Sequence, residues 1–382
     1  MRKLLCILAL GTISFSQAQT NNTITVNVNG TTRTYILYVP AIYNSATAVP
    51  LVFNFHGYGS NSSEQELYGE FRPIADTANF IIAHPQGLTV SGSTGWNNFG
   101  LPAAAQPDLD FVSAMITQIS TNYNIDANRI YSTGMSNGGF MSYDNACFLS
   151  EKFAAIASVT GGMTSIHKNA CQATHPTPVM QIHGTADAVV AYAGGGALGS
   201  LQVDSLVKFW RNFNQCNPTP DFTALPNIVN SDNCTAEHYV YSGGLNGSTV
   251  EFYKIINGGH TWPGAIFPVN GNTNMDFSAS KEIWRFFSQY RLNQLTASLS
   301  EQSQKLEVKV YPNPSKDSFV IETEHFEGLS IEVMDATGKL VYTQVLKGQL
   351  SPIELKAPGS GLYIYRILKG KNLVKAGKLT LI

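Results

Sequence analysis

A serine on a glycine-rich turn, with an aspartate and a histidine downstream of it, offers the chemistry of this chain. Gly134-Met135-Ser136-Asn137-Gly138-Gly139 has the form Gly-x-Ser-x-Gly. In that spacing a serine on a tight strand-to-helix turn projects its hydroxyl, and glycines keep side chains clear of the neighbouring strand and helix. A hydroxyl is a weak nucleophile until a base removes its proton, and the base needs an acid to fix its tautomer and stabilise its charge. Those partners are expected downstream, the acid first. In His183-Gly184-Thr185-Ala186-Asp187 a strand end opens into a loop with an acid in place, so Asp187 is the expected acid; Asp204 and Asp221 read as helix-surface and loop residues. His238, His260 and His325 follow Asp187. His325 belongs to the tail and His238 precedes an alternating run, whereas His260 sits in Asn257-Gly258-Gly259-His260-Thr261-Trp262-Pro263-Gly264, a glycine-rich turn after a strand-like segment. A lone histidine is more often structural, but this placement and chain order make His260 the expected base. The developing oxyanion needs backbone donors: the amide of Asn137, and one from Gly57 or Tyr58 in His56-Gly57-Tyr58-Gly59. His56 precedes the serine and reads as a residue that shapes that loop.

These residues need a frame that brings strand ends together. Continuous apolar runs bounded by Gly or Pro, at 49–55, 80–83, 130–133, 179–182 and 250–256, suit strands buried on both faces. Helix-like stretches at 64–77, 110–122, 202–213 and 278–292 alternate with them. Strand, helix, strand, helix implies an α/β fold, a mostly parallel sheet with helices on both faces, and a site at the carboxyl ends of the strands.

The N-terminus carries Arg2 and Lys3, an apolar run from Leu4 to Leu10, and Ser16-Gln17-Ala18, the pattern of a signal peptide over residues 1–18. The run is too short to span a bilayer, and no other segment reaches the ~20 apolar residues that spanning needs. Beyond the signal there are four cysteines, Cys147, Cys171, Cys216 and Cys234, an even number for an oxidising compartment. Proximity favours Cys147 with Cys171 and Cys216 with Cys234 among three possible pairings. From 19 to 301 there are 11 basic and 18 acidic residues; from 302 to 382 there are 11 and 8, so charge density rises and its sign flips. A Gln-, Ser- and Thr-rich linker at 293–304 separates a catalytic domain, 19–292, from a tail, 305–382. Short alternating runs in the tail at 306–311, 318–322, 331–334, 340–344 and 362–368, with Asp335-Ala336-Thr337-Gly338 as a hairpin turn, read as a small β-sandwich. A net charge of −2 over 382 residues leaves no electrostatic footprint for nucleic acid. No His-Glu-x-x-His, Cys-x-x-Cys, Walker or dinucleotide-binding glycine pattern is present, so neither a metal nor a cofactor is expected.

Two resemblances follow from these motifs. Val310-Tyr311-Pro312-Asn313-Pro314, Val333-Met334-Asp335 with Gly338-Lys339, Gly361-Leu362-Tyr363 and a Lys-rich last strand make the tail similar to the C-terminal sorting domain of the type IX secretion system. That implies export, with the secretion machinery as partner and a secreted or cell-surface location. The alternative for the tail is a substrate-binding sandwich. His56-Gly57-Tyr58-Gly59, Gly95-Trp96-Asn97, Asn128-Arg129-Ile130-Tyr131, the Ser136 turn, the Asp187 loop and the His260 loop together resemble the α/β-hydrolases of the extracellular poly(3-hydroxybutyrate) depolymerase and feruloyl esterase group over about residues 23–290. The resemblance implies Ser136 as nucleophile, Asp187 as acid, His260 as base, and Asn137 with Tyr58 as oxyanion donors. It implies a serine esterase acting on feruloyl or acetyl esters of plant polysaccharide, or on a polyester. Trp96 and Trp262, within the motifs, are candidates to stack on an aromatic acyl group or a sugar, against the alternative of core aromatics. A catalytically silent adhesin or glycan-binding protein, and a serine peptidase, are the competing readings.

Overall fold

The computed structural model describes residues 19–196, 198–267, 271–296, 308–323, 326–355, 359–369 and 372–382. The signal peptide and most of the expected linker lie outside the described residues. The chain divides into two compact units, the first ending at Thr296.

In the first unit the strands are β1 (Thr20–Val28), β2 (Thr31–Val39), β3 (Val49–Phe55), β4 (Ile81–Pro85), β5 (Leu88–Val90), β6 (Ser93–Gly95), β7 (Ile125–Met135), β8 (Ala155–Val159), β9 (Val179–Gly184), β10 (Asp221–Ala224), β11 (Thr235–Tyr241) and β12 (Val250–Ile256). All but the β5–β6 hairpin join one sheet in the order β1-β2-β4-β3-β7-β8-β9-β12-β11-β10. The run from β4 to β12 is parallel and the outer strands are antiparallel. The helices are α1 (Ser62–Tyr68), α2 (Arg72–Ala78), α3 (Gln106–Asn122), α4 (Asn137–Phe148), α5 (Ser165–Ala170), α6 (Val203–Phe213), α7 (Ala279–Phe287) and α8 (Leu292–Leu295).

Successive residues of β3 face opposite ways, as a strand requires. Val52 joins Tyr131, Ile182, Phe286 and Phe287 in one core. Leu51, Phe53 and Phe55 join Phe111, Met115 and Ile119 of α3 in another. Because both faces are covered, β3 is buried at every position, and its largely apolar run follows from that; the one amide side chain in it, Asn54, is satisfied by Gly69 and Gln65.

The expected helix at 64–77 is two helices. The amide of Gly69 closes α1 on the carbonyl of Gln65 at 2.9 Å, and Pro73, which lacks an N–H, fits only the first turn of the next helix. Strand β8 was not legible because three of its five residues, Ala155, Ala157 and Ser158, are small. Leu295, inside the expected linker, is buried at the end of α8.

In the second unit, β13 (Lys309–Tyr311), β14 (Ser318–Glu322), β15 (Leu329–Met334), β16 (Leu340–Val345), β17 (Leu350–Glu354), β18 (Gly361–Lys369) and β19 (Asn372–Leu381) form two sheets, β13-β14-β17 and β16-β15-β18-β19. Phe319, Ile331, Val333, Ile353 and Ile367 share one core between them. The Asp335 carboxylate accepts from the amides of Thr337 at 2.9 Å and Lys339 at 3.0 Å and holds the turn that joins β15 to β16.

Cys147 and Cys171 form a disulfide, with Cα atoms 4.6 Å apart. The expected partnership of Cys216 with Cys234 is corrected: both are free and buried. Cys234 precedes the first residue of β11, whereas Asn217, next to Cys216, donates its amide to the carbonyl of Ser242 just beyond the last residue of β11. Seven strand residues at ~3.3 Å each put the two thiols near opposite ends of β11, far beyond the ~7 Å Cα limit for a bridge. The disulfide closes a sequence separation of 24 residues, for which about 3 kcal/mol is expected. Alkylation of the denatured, non-reduced chain from residue 19 onward should label two thiols, and reduction should lower the melting temperature; four labelled thiols would contradict the pairing.

A buried ion pair lies beside that bridge. His167 Nδ1 is 2.6 Å from the Asp144 carboxylate and Nε2 is 3.2 Å from the carbonyl of Gly100. Both partners are acceptors, so the doubly protonated imidazolium satisfies both. Burial alone would lower its pKa, but the hydrogen bond and charge of Asp144 outweigh burial and hold it above the ordinary value. A raised folded-state pKa contributes stability that is full below about pH 6.5 and is lost as pH rises through the raised value. Burial pushes the Asp144 carboxyl up to about 6, so the control must remove both groups: the melting temperature of the wild type should fall more between pH 6 and 9 than that of Asp144→Asn/His167→Gln, and parallel curves would show that this pair does not titrate with folding.

Candidate active site

Ser136 sits between β7 and α4 with φ 54° and ψ −120°, a strained conformation for a residue with a side chain. Close packing around it enforces the turn. A Cβ at Gly138 would lie 2.1 Å from the carbonyl oxygen of Phe55, and one at Gly134 would lie 2.5 Å from the same atom. The end of β3 thus presses against the turn at distances only glycine permits. The Ser136 amide donates to the carbonyl of Val159 on β8 at 2.8 Å, and its carbonyl accepts from Phe140 at 3.0 Å. Ser136 is half-buried between the buried Met135 and Asn137.

Asp187 and His260 extend from the ends of β9 and β12, which are neighbours in the sheet. His260 Nδ1 lies 2.8 Å from Asp187 Oδ2, both side chains being almost fully buried. Asp187 Oδ1 accepts from the amides of Val189 at 2.8 Å and Val190 at 2.9 Å. With Nδ1 donating to the carboxylate, the lone pair of the neutral ring is on Nε2, where a base needs it. The structure joins His260 to Asp187 and draws no hydrogen bond from His260 to Ser136. Bonds of that kind often close only around substrate.

The two candidate amides of the loop after β3 differ in their partners. The amide of Gly57 is taken by the Tyr68 hydroxyl at 3.3 Å, while no hydrogen bond among the described residues engages that of Tyr58. A Cβ at Gly57 would lie 3.4 Å from the Ser136 Cβ, so this loop borders the serine. Asn137 is the first residue of α4, where helix geometry leaves amides without a partner one turn back. Its side chain is clamped: Oδ1 accepts from the Trp96 amide at 2.7 Å, and Nδ2 donates to Asn98 Oδ1 at 2.7 Å and to the Trp96 carbonyl at 3.1 Å. Asn98 Nδ2 returns a bond to the Asn137 carbonyl at 2.9 Å.

The stacking role expected of Trp96 and Trp262 is corrected. Trp96 is fully buried, its indole N–H donates to the carbonyl of His56 at 2.8 Å, and its ring meets Phe55 edge-on. Trp262 is buried as well, its N–H donating to Ser280 at 3.1 Å and its ring edge-on to Phe71. Both rings are buried against protein, although Trp262 also forms part of the wall of a cavity with Arg72, Pro263 and Ile266. His56 shapes the loop as expected: Nε2 accepts from the amide of Gly87 at 2.9 Å and Nδ1 donates to the carbonyl of Gly57 at 2.7 Å. Burial lowers its pKa, consistent with this neutral form.

Sequence reasoning missed the pair that anchors the 96–98 segment. Asp108 Oδ2 accepts from the Asn97 amide at 2.9 Å, and Oδ1 meets Arg33 at 3.0 Å, both side chains being buried. No motif marks Arg33 and Asp108, 75 residues apart. If Trp96 is a brace, Trp96→Phe leaves the His56 carbonyl without its donor, at a cost of about 1–3 kcal/mol. Denaturant unfolding should show that loss while KM for a small ester stays within twofold; a raised KM at unchanged stability would restore the stacking role.

Comparison with known proteins accords with this architecture. Residues 100–217 match the Phospholipase/Carboxylesterase family and residues 309–381 match the Secretion system C-terminal sorting domain. Feruloyl esterase D of Neurospora crassa is 28% identical over 280 residues, 70% of this chain and 86% of that protein. The bifunctional acetylxylan esterase/xylanase XynS20E of Neocallimastix patriciarum is 27% identical over 264 residues; the match covers 69% of this chain but about a third of that protein, 34%. The solved acetyl xylan esterase from Aspergillus awamori superposes with a TM-score of 0.52 at 16% identity, covering 70% of this chain and 99% of that one, a likeness of fold. Among the described residues no helix is long and apolar enough to cross a membrane. On an α/β-hydrolase fold, residues 100–217 thus resemble the Phospholipase/Carboxylesterase family, and residues 309–381 match a type IX secretion sorting domain, which assigns the chain to secretion or the cell surface.

Proposed function

We propose that this chain is a secreted serine esterase that hydrolyses feruloyl or acetyl esters of extracellular plant polysaccharide. The observation that carries the reading is the buried Asp187–His260 pair, 2.8 Å apart, at the same sheet edge as the strained Ser136 turn. Residues 19–292 would carry the chemistry, and 305–382, beyond the linker, would address the chain to the secretion machinery.

In this mechanism Ser136 Oγ attacks the ester carbonyl while His260 Nε2 takes its proton, and Asp187 stabilises the imidazolium. The carbonyl oxygen, now negative, receives the amides of Asn137 and Tyr58. Collapse breaks the bond to the alcohol, which leaves with the proton from His260. Water then gives a proton to His260, attacks the acyl-serine, and the carboxylic acid departs as Ser136 regains its proton. The feruloyl and acetylxylan esterase activities of the relatives support feruloyl and acetyl groups as the acyl class. Exposed apolar side chains on loops that carry or flank these residues, Tyr58, Leu101, Val189 and Phe267, suit a substrate with an apolar acyl part.

The test compares wild type with Ser136→Ala on p-nitrophenyl acetate, methyl ferulate, acetylated xylan and a polyhydroxybutyrate film. Wild type should hydrolyse methyl ferulate or acetylated xylan, and Ser136→Ala should lose about 10⁴-fold or more in kcat. Activity on the film alone would move the substrate to polyesters. Equal inactivity of both proteins, with polysaccharide binding retained, would make the chain an adhesin.

A further inference from the structure

Strand β9 buries two polar side chains on one face, Gln181 and His183, both fully inaccessible. Such burial is tolerated only when every polar atom is satisfied, and here each is. Gln181 Oε1 accepts from the Tyr143 hydroxyl at 2.7 Å. Its Nε2 reaches the carbonyl of Gly161 at 3.0 Å and His183 Nδ1 at 3.0 Å. The carbonyl of Gly161 can only accept, so the amide nitrogen faces it and the same NH₂ donates to His183 Nδ1. Nδ1 is therefore the acceptor, and the ring proton is on Nε2. That Nε2 lies 2.8 Å from the carbonyl of Val190 and 3.4 Å from Asp187 Oδ2.

We propose that Gln181 and His183 are positioning residues for the acid: Gln181 fixes the neutral Nε2–H tautomer of His183, and His183 holds the Asp187 loop so that its carboxylate stays committed to His260. The proposal rests on the esterase reading above. Val190 connects the parts, since its amide donates to Asp187 Oδ1 and its carbonyl accepts from His183. A His183 protonated at Nδ1 would turn a lone pair toward both the Val190 carbonyl and the carboxylate and push the loop away. A doubly protonated ring would set a second cation on Asp187 in competition with His260. Burial, which lowers the His183 pKa, works against that cation. The groups facing His183 are Asp187 and His260 from the loops, Tyr192, whose ring centroid is 6.1 Å away, and Lys254, paired with it in register on β12. The Lys254 ammonium is instead over the Tyr192 ring, 5.4 Å from its centroid.

Three variants test this on p-nitrophenyl acetate, with kcat counted per serine titrated by a phosphonate. His183→Gln keeps a neutral donor for Val190 and should retain kcat within about threefold, whereas His183→Leu should lose about thirtyfold or more with KM unchanged, by analogy with other positioning groups. Gln181→Glu, which invites a second proton onto His183, should move the acidic limb of the kcat/KM profile down by roughly half a pH unit or more, because Asp187 then supports the His260 cation less. The downfield proton NMR signal of the His260–Asp187 hydrogen bond supplies a readout independent of activity: it should persist in His183→Gln and vanish in His183→Leu. Equal losses in the two His183 variants, an unmoved limb in Gln181→Glu, or an unchanged signal in His183→Leu would overturn the proposal. An inactive wild type that keeps this NMR pattern would instead sink the esterase reading and leave the positioning role standing.

Discussion

Ser136 can hold its strained backbone because the end of β3 presses into the turn. The carbonyl of Phe55 comes so near Gly134 and Gly138 that no side chain fits at either position, and the chain has one way to pass from β7 into α4. Strain of about 1–3 kcal/mol persists in such a place only when its surroundings over-determine it. The surroundings here are β3 on one side and the bond to Val159 of β8 on the other. Everything proposed for the site depends on this contact, since a relaxed turn would bury the hydroxyl or aim it elsewhere.

The loops around the turn are held by polar groups rather than by apolar packing alone. Asn137 is clamped by Trp96 and Asn98, Trp96 reaches the His56 carbonyl, and His56 ties the loop after β3 to Gly87. Asp108 and Arg33 close the arrangement from α3 and β2. A buried network of this kind stabilises one geometry when every member is satisfied and is costly when one is missing. It fixes the side chain of Asn137 and the loop after β3, and it accounts for the burial of Trp96.

Much of the frame was legible in the chain. The mainly apolar run at 49–55 is β3 and the one at 250–256 is β12, because parallel strands covered on both faces need largely apolar sequence and few other elements so short do. The turn at Asp335–Gly338 could be read because its asparagine-like carboxylate and its glycine act locally. Where the reading failed, the deciding interaction was distant. In β8, Ser158 is small because the turn at Gly139 approaches it, while Ala155 and Ala157 lie on the opposite face in the core shared with Val52, and nothing local reports either neighbourhood. Cys216 and Cys234 are close in sequence but separated by the length of β11. Arg33 and Asp108 pair across 75 residues without a motif.

From the linear order of residues alone came the types that could do chemistry, the turn grammar around Ser136, Asp187 and His260, and the alternation of strand and helix, all properties of neighbours along the chain. The tertiary structure decided that His260 meets Asp187 across 73 residues, that the Tyr58 amide and not that of Gly57 is left open, and that Trp96 and Trp262 face inward. The physical reason is that burial and pairing depend on which strands lie side by side, and the sheet order that fixes this is a global compromise of packing that no short stretch encodes.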